Sequence, residues 1–284
     1  MNESSVMQIN VDEVLRQRLS RHYKFIPKFI IRWVERIICQ ERMNELLVRL
    51  HGKKDADFCN GLLRELNITV NVNGVERLPS RENRRVVIVS NHPLGGLDGI
   101  AYIDHITKLY GGKIHFIVND ILMVLKPLHG VFLPINKHGK QSRQSFKAIE
   151  EAFAGNDPII IFPAGLVSRR SKDGGIADLR WQKMFVNKCI EHQRDVIPMF
   201  FGGENSPYFY NFAKFRKNLG IKFNIEMVYL PREMVHSENA VYSITIGDMI
   251  PWEVLKPSNG KNTQTIADEV REIVYKLKTK YSIN

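Results

Sequence analysis

Cysteine is scarce here: Cys39, Cys59 and Cys189 are the three in a chain of 284 residues. They lie far apart and form neither a C-x-x-C pair nor a Cys/His metal spacing. Scattered, odd-numbered cysteines argue against a disulfide framework and for reduced thiols in a cytosol. Long hydrophobic runs are missing too. No stretch approaches the roughly 18 consecutive apolar residues of a spanning helix, so work at a membrane would be done from its surface. The opening MNESSVMQINVDEV is polar and acidic, without the apolar core of a secretory signal. Repeats, low-complexity tracts and long linkers are absent. So are helix-turn-helix, RNP and zinc patterns, and Gly139-Lys140-Gln141-Ser142 lacks the upstream glycine spacing of a P-loop.

What is present first is positive charge. Lys and Arg number 41 against 30 Asp and Glu, a formal net charge of +11. Residues 121–190 hold eleven of those cations against five acids, a local excess of +6. Such a surface suits anionic partners: nucleic acid, anionic lipid headgroups or phosphate-bearing substrates. With charge alone to support it, nucleic-acid binding is not expected. Hydrophobic content of 44% with 25% charged residues is ordinary for a globular chain, so a sizeable core is expected.

Residues 1–66 read as a helical segment. Asn10 or Asp12 is placed to cap a short helix over VDEVLRQRL. After Pro27, the apolar residues Phe29, Ile30, Trp33, Val34, Ile37 and Ile38 recur at helical spacing, with Arg32 and Arg36 on another side. Tyr23, Phe25, Phe29 and Trp33 interleave with Lys24, Lys28 and Arg32. Aromatic and basic residues together on an amphipathic helix suit an interfacial membrane contact. Packing of the same stripe on the core is the other reading, and both stay open.

From residue 67 to 284, strands alternate with helices. ITVNVNGVERL reads as an exposed strand pair or edge strand turning at Asn73-Gly74. RRVVIVS (84–90), PIIIF (158–162) and DVIPMFF (195–201) are continuous apolar runs, the signature of strands buried on both faces. KIHFIVND (113–120) alternates as a strand should, and ITIGDMI (244–250) reads as an edge strand. Helices are expected over 99–110 and from Ser142 or Ser145 to Ala154, stopping at Gly155. A last one starts near Thr265, with Asp268 in its first turn and Ile266, Val270, Ile273, Val274 and Leu277 on one face. The alternation predicts the α/β class: a mixed, partly parallel sheet flanked by helices, with an N-terminal helical extension.

Three unusual segments follow directly on the buried strands. VVIVS leads into Asn91-His92-Pro93-Leu94-Gly95-Gly96-Leu97-Asp98. PIIIF leads into Pro163-Ala164-Gly165-Leu166-Val167-Ser168-Arg169-Arg170. DVIPMFF runs into Gly202-Gly203. In such sheets ligands sit beyond the carboxyl ends of the strands, so the three should meet on one rim. A neutral imidazole suits proton transfer near pH 7, and a carboxylate on its other ring nitrogen fixes the tautomer. On a regular helix His92 and Asp98 would stand about 240° apart. They can face each other only if the chain turns between them, and Pro93 with Gly95-Gly96 supplies the turn.

In this order, Asn91-His92…Asp98, the segment Gly130-Val131-Phe132-Leu133-Pro134-Ile135-Asn136-Lys137, Phe162-Pro163-x-Gly165 and Val196-Ile197-Pro198 resemble the four sequence blocks of the glycerolipid acyltransferases, enzymes similar to lysophosphatidate acyltransferase. The resemblance spans residues 84–203. It implies an α/β enzyme on the cytoplasmic face of the membrane, moving an acyl group from acyl carrier protein or coenzyme A to a hydroxyl. The matching residues imply His92 as general base and Asp98 as its orienting carboxylate. Asn91, Gly130, Phe132, Asn136, Lys137, Pro163, Gly165, Ser168, Arg169 and Arg170 fall in the implied substrate-binding blocks. No resident cofactor and no metal are implied.

Three departures qualify the match. Five residues separate His92 from Asp98 where the family has four. Asn136 and Lys137 stand where an arginine usually ends the second block, and Ala164 replaces the glutamate of the third. His-Pro-x-Gly-x-x-Asp-Gly with Phe-Pro-Ala-Gly is similar instead to a bacterial branch known by the label hemolysin. That branch includes the O-acyltransferases that complete ornithine and glycine lipids from their lyso forms. A glycerol-phosphate acceptor wants a bidentate guanidinium, which Lys137 cannot offer. A lyso-amino lipid carries its hydroxyl on an acyl chain and ends in a carboxylate, which Arg169 and Arg170 are expected to bind, unless they hold the donor's phosphopantetheine phosphate. Oxyanion donors are expected near Gly165 or in the Gly95-Gly96 turn. The expected reaction is therefore acylation of a lyso-ornithine or lyso-glycine lipid. Phospholipid synthesis from lysophosphatidate and a non-catalytic lipid-binding protein are the alternatives.

Overall fold

The computed structural model describes residues 7–82, 84–135, 143–171, 174–220, 224–258 and 260–280. It begins with four helices, α1 (Val11–Tyr23), α2 (Lys28–Ile37), α3 (Gln40–Arg49) and α4 (Asp55–Glu65). Asn10 rather than Asp12 caps α1, its Oδ1 accepting the Glu13 N–H at 3.1 Å, while Asp12 turns to Arg16 at 2.9 Å. Pro27 precedes α2, and Cys39, at φ 52°, breaks the chain between α2 and α3. Leu46, Leu47 and Leu50, together with Phe58, Leu62 and Leu63 of α4, are buried in the same cluster as Leu97, Ile100, Ile103 and Ile106.

The remaining strands are β1 (Thr69–Asn73), β2 (Val86–Ser90), β3 (His115–Asn119), β4 (Phe132–Ile135), β5 (Ile159–Ile161), a short ribbon of β6 (Arg169–Arg170) and β7 (Ile176–Ala177), β8 (Asp195–Gly202) and β9 (Val241–Ile246). Among them run α5 (Gly96–Tyr110), α6 (Arg143–Ala154), α7 (Met184–His192), α8 (Pro207–Asn218), α9 (Leu230–Val235) and α10 (Thr263–Lys280). Seven strands form one sheet in the order β1-β9-β8-β2-β5-β3-β4. β8, β2, β5, β3 and β4 are mutually parallel. β9 runs antiparallel to β8 and parallel to β1. The sheet is therefore mixed and mostly parallel.

The apolar strands explain the layering. Val86 and Ile88 of β2 face a cluster with α4 and α5, while Val87 and Val89 face a second with α6, α7 and α10. Side chains alternate across a strand, so a run without polar residues must be covered on both sides. β3 follows the same rule, with Phe116 and Val118 on one face and Ile117 on the other.

Two expectations change. The strand expected at the edge from 244 onward begins at Val241 and lies inside the sheet, because β1 pairs along it from Thr69↔Val241 to Asn73↔Thr245. β1 is the edge and forms no local strand pair: Gly74, at φ 83°, leads into a 3-10 turn over Val75–Arg77. A Cβ on Gly74 would stand 2.6 Å from the Ile246 carbonyl oxygen, so only glycine fits that turn. In α10, Asn262 provides the cap, accepting the N–H groups of Gln264 at 2.9 Å and Thr265 at 3.0 Å. Asp268 is drawn instead to Arg180 at 2.7 Å.

Candidate active site

β2 ends at Ser90, and the next residue sutures it to β8. The Asn91 amide donates to the Phe201 carbonyl at 2.9 Å and accepts the Phe201 N–H at 2.7 Å. Asn91 is thus buried and occupied by backbone, and its part is to fix the residue that follows. His92 then emerges at the carboxyl rim with its ring mostly covered. Its Nδ1 lies 3.0 Å from Asp98 Oδ2.

The turn between the two is wound around the Asp98 carboxylate. Oδ2 also accepts the N–H groups of Leu94 at 2.9 Å and Gly95 at 3.3 Å, and Oδ1 that of Gly99 at 2.8 Å. Gly95 holds φ 86°, which a side chain would strain, and a Cβ there would also strike Leu230 of α9 at 2.7 Å. Asp98 is fully buried, with both carboxylate oxygens taken up by these donors. With Asp98 Oδ2 as the acceptor at Nδ1, that ring nitrogen carries the proton and Nε2 carries the lone pair.

Phe162, the last residue of the PIIIF run, stacks on the imidazole with ring centroids 4.2 Å apart and planes 22° from parallel. Phe116 and Tyr102 meet Phe162 edge-on at 5.1 and 5.8 Å. The imidazole plane is thereby set by a packed aromatic floor. Pro163 and Gly165 form the turn beyond it: the Pro163 carbonyl accepts the Gln182 N–H at 3.0 Å, and the Gly165 N–H closes on the Phe162 carbonyl at 2.9 Å. In the Gly95-Gly96 turn, the Gly95 N–H is engaged by Asp98 at 3.3 Å.

Ser168 joins the site through the backbone. Its N–H donates to the His92 carbonyl at 2.8 Å, and its hydroxyl donates to Asp178 Oδ1. Asp178 has no counterpart among the residues that the sequence singled out. Its buried carboxylate also accepts the His92 N–H at 3.1 Å and the Trp181 indole N–H at 2.9 Å. The Asp178 N–H donates to the Tyr275 hydroxyl at 2.6 Å, and its carbonyl accepts from Arg271 at 2.9 Å. Burial pushes the Asp178 carboxyl above the usual carboxylate range, and the Ser168, His92 and Trp181 donors pull the other way.

Other expected residues lie elsewhere. Gly130 packs against Asp55 in a cleft with Thr107 and Ile114. Ile114 precedes β3 and Gly130 precedes β4, so that cleft is at the rim opposite His92. Phe132 opens β4 and is buried against Phe116, ring centroids 6.2 Å apart. Asn136 and Lys137 lie outside the described residues. Arg169 donates to Glu226 at 2.8 Å and to the Val167 carbonyl at 2.8 Å, and lies 5.5 Å over the Phe209 ring. Glu226 is fully buried and also takes Arg216 at 3.2 Å. Burial lowers the Arg169 pKa, with Glu226 opposing the shift. Its guanidinium is thus spent inside the protein rather than offered to a ligand. Arg170 is exposed, within 3.3 Å of Asn211 and beside Tyr210. Among the described residues, the ligand atoms that converge as for a metal belong to Glu150, Glu191 and His192. Lys188 Nζ already sits there, 2.6 Å from Glu150 and 2.7 Å from Glu191.

The chain was compared with known proteins. A family model described as "Acyltransferase" matches residues 13–283. The lyso-glycine lipid O-acyltransferases of Bacteroides thetaiotaomicron and Phocaeicola vulgatus are each 42% identical to this chain over 277 residues. The alignments cover 98% of this chain, and 100% and 98% of those enzymes. The crystal structure of the 1-acyl-sn-glycerophosphate acyltransferase PlsC from Thermotoga maritima aligns with 96% of this chain and 100% of its own, with a TM-score of 0.44 and 18% identity.

Proposed function

Because the chain belongs to the acyltransferase family, we propose that it completes a lyso-amino lipid, moving a fatty acyl group from a thioester to the lipid's hydroxyl, with lyso-glycine lipid as first acceptor. The observation that carries the acceptor is the 42% identity to lyso-glycine lipid O-acyltransferases over nearly the whole chain.

The geometry suits the chemistry. His92 Nε2 takes the hydroxyl proton as the oxygen attacks the thioester carbonyl, and Asp98, 3.0 Å from Nδ1, stabilises the imidazolium. The carbonyl oxygen then carries the negative charge. The first turn of α5, opened by Gly96, presents the positive end of a helix to it. Collapse of the tetrahedral adduct breaks the C–S bond, and the imidazolium returns its proton to the leaving thiolate. No resident cofactor or metal takes part in this scheme. The donor is acyl carrier protein or a coenzyme A thioester.

The proposed setting is the cytoplasmic face of the cell membrane, with the inner-leaflet surface as partner. No helix among the described residues is long and apolar enough to cross a membrane. On and before α2, Phe25 is 82%, Phe29 70% and Trp33 53% exposed, beside Lys24, Lys28 and Arg32. Exposed aromatics among basic side chains favour docking of residues 1–66 on an anionic surface, with 67–284 as the catalytic unit.

The test offers purified protein labelled acyl carrier protein or acyl-coenzyme A with lyso-glycine lipid, lyso-ornithine lipid or lysophosphatidate in separate reactions. Ester formation on the lyso-glycine lipid is expected. Product from lysophosphatidate alone would overturn the acceptor, and no product from any acceptor would leave a non-catalytic lipid-binding protein.

A further inference from the structure

α8 turns an apolar row to solvent. Tyr208, Phe212, Phe215 and Leu219 follow one another by four, three and four residues, which sets them within about 60° of one another around the helix. Phe215 and Leu219 are each 59% exposed, and Tyr208 is exposed too. The core side of the same helix is made by Phe209, Tyr210 and Ala213, all buried. A 3-10 turn over Ile225–Tyr229 packs beside α8. The Tyr229 ring lies 4.9 Å from that of Phe212, and Ile225 and Val228 are exposed.

This row starts from the same buried cluster as that of α2. Ile37 of α2 is buried together with Phe209, Tyr210 and Tyr229. Ile30 and Trp33 share the side of α2 that carries Ile37, again within about 60°, and both are exposed. The charge around α8 is of one sign. Between Asn205 and Gly220 there is no acidic residue. Lys214 and Lys217 are exposed, as is Arg232, whose guanidinium lies 5.9 Å over the Tyr208 ring. Glu226, the acid of the 3-10 turn, is buried and taken up by Arg169 and Arg216.

Two contacts tie these elements to the base. Asn205, just ahead of α8, donates its side-chain amide to the Pro93 carbonyl at 2.9 Å. Leu230, directly after the 3-10 turn, is the side chain that a Cβ on Gly95 would strike. Pro93 and Gly95 both belong to the turn between His92 and Asp98. We propose that α8 and the 3-10 turn over Ile225–Tyr229 form a second membrane-docking surface, whose apolar row enters the headgroup boundary of an anionic bilayer beside the catalytic turn. Such insertion asks only for apolar side chains flanked by cations, with no matching shape. Cations alone would suit an acidic carrier protein; exposed aromatic and aliphatic side chains on both elements favour a bilayer. The inference rests on the membrane-surface reading above and adds the element that brings His92 to the lipid.

Co-sedimentation of the full-length protein with phosphatidylcholine vesicles, with and without phosphatidylglycerol, tests this. Phe215→Ser with Leu219→Ser alters exposed positions, so the melting temperature should hold. Its partition onto anionic vesicles should fall roughly 10-fold. Turnover of a vesicle-borne acceptor should fall with it, while turnover of a short-chain acceptor free in solution stays at the wild-type rate. Lys214→Glu with Lys217→Glu should weaken binding to anionic vesicles and leave binding to neutral ones unchanged. A wild type that binds vesicles no better than folded Phe215→Ser with Leu219→Ser overturns the second surface and leaves the N-terminal one. Unchanged partition with a raised KM for acyl carrier protein would also overturn it, and make the row a carrier-protein dock. A wild type that binds no vesicle overturns the membrane reading, and this surface with it. Sedimentation needs no turnover, so failure of the acceptor reading alone would leave the docking result standing.

Discussion

Asp178 holds His92 by its main chain rather than by its ring, accepting the His92 N–H at 3.1 Å while Asp98 takes Nδ1 at 3.0 Å. One histidine is thus fixed by two buried carboxylates, one for its tautomer and one for its place at the strand end. Asp178→Asn replaces an acceptor with a donor facing the Trp181 indole or the Ser168 hydroxyl. The base should shift, and small misplacements cost rate steeply: kcat should fall about 10²-fold with both KM values little changed. Trp181→Phe removes only a donor and should cost far less. Wild-type kcat in a folded Asp178→Asn protein would show that the anchor has no part in turnover.

Arg169→Gln should be read in stability rather than in substrate affinity. It removes one of the cations that neutralise the buried Glu226, and breaking such a pair costs about 3 kcal/mol or more. The melting temperature should drop by several degrees, and Arg169→Gln with Glu226→Gln should recover part of the loss. An unchanged melting temperature with a raised KM would return Arg169 to the substrate.

How much of this was legible in the sequence depended on locality. β2, β5 and β8 announced themselves because a continuous apolar run needs cover on both faces, and their shared direction brought Asn91, Phe162 and Gly202 to one rim. The His92–Asp98 contact was legible because proline and glycines forced a turn. The pairing of β9 with β1 and β8 was not, since nothing near residue 241 encodes a partner 172 positions upstream, Thr69. Asp178 sits in an unremarkable loop, GGIADLR, and its role exists only once the ribbon of β6 and β7 folds back over Ser168. Arg169 looked like a ligand group because its partner Glu226 lies 57 residues away. Phe162 did give a signal, an aromatic residue at the end of a buried strand immediately before Pro163.

His115 gives a pH dependence of stability. Burial lowers its pKa below 6.5, helped by Lys113 and Arg194 and opposed by Asp157. The unfolded chain therefore binds the proton more readily than the native one. The stabilisation is complete above about 6.5 and is lost as pH falls toward the lower folded value. Melting temperatures measured on both sides of that window should fall on the acid side, and His115→Gln should flatten that part of the decline. An equal acid decline in the variant would assign it to other groups.

Membrane docking is tested by vesicle co-sedimentation. Replacing both Phe25 and Trp33 by serine removes exposed apolar surface without touching the core, so fold and melting temperature should hold. Partition onto anionic vesicles should drop roughly 10-fold. Unchanged partition would place the contact on another surface.

The proton-transfer pair is tested most directly by acyl transfer to lyso-glycine lipid with His92→Ala and Asp98→Asn, each confirmed folded by circular dichroism and melting temperature. General-base catalysis is worth ~10²–10⁴-fold. The account predicts a loss of at least that size in kcat for His92→Ala, a smaller but clear loss for Asp98→Asn, and no further loss when the two are combined. Turnover near the wild-type rate in folded His92→Ala would contradict it.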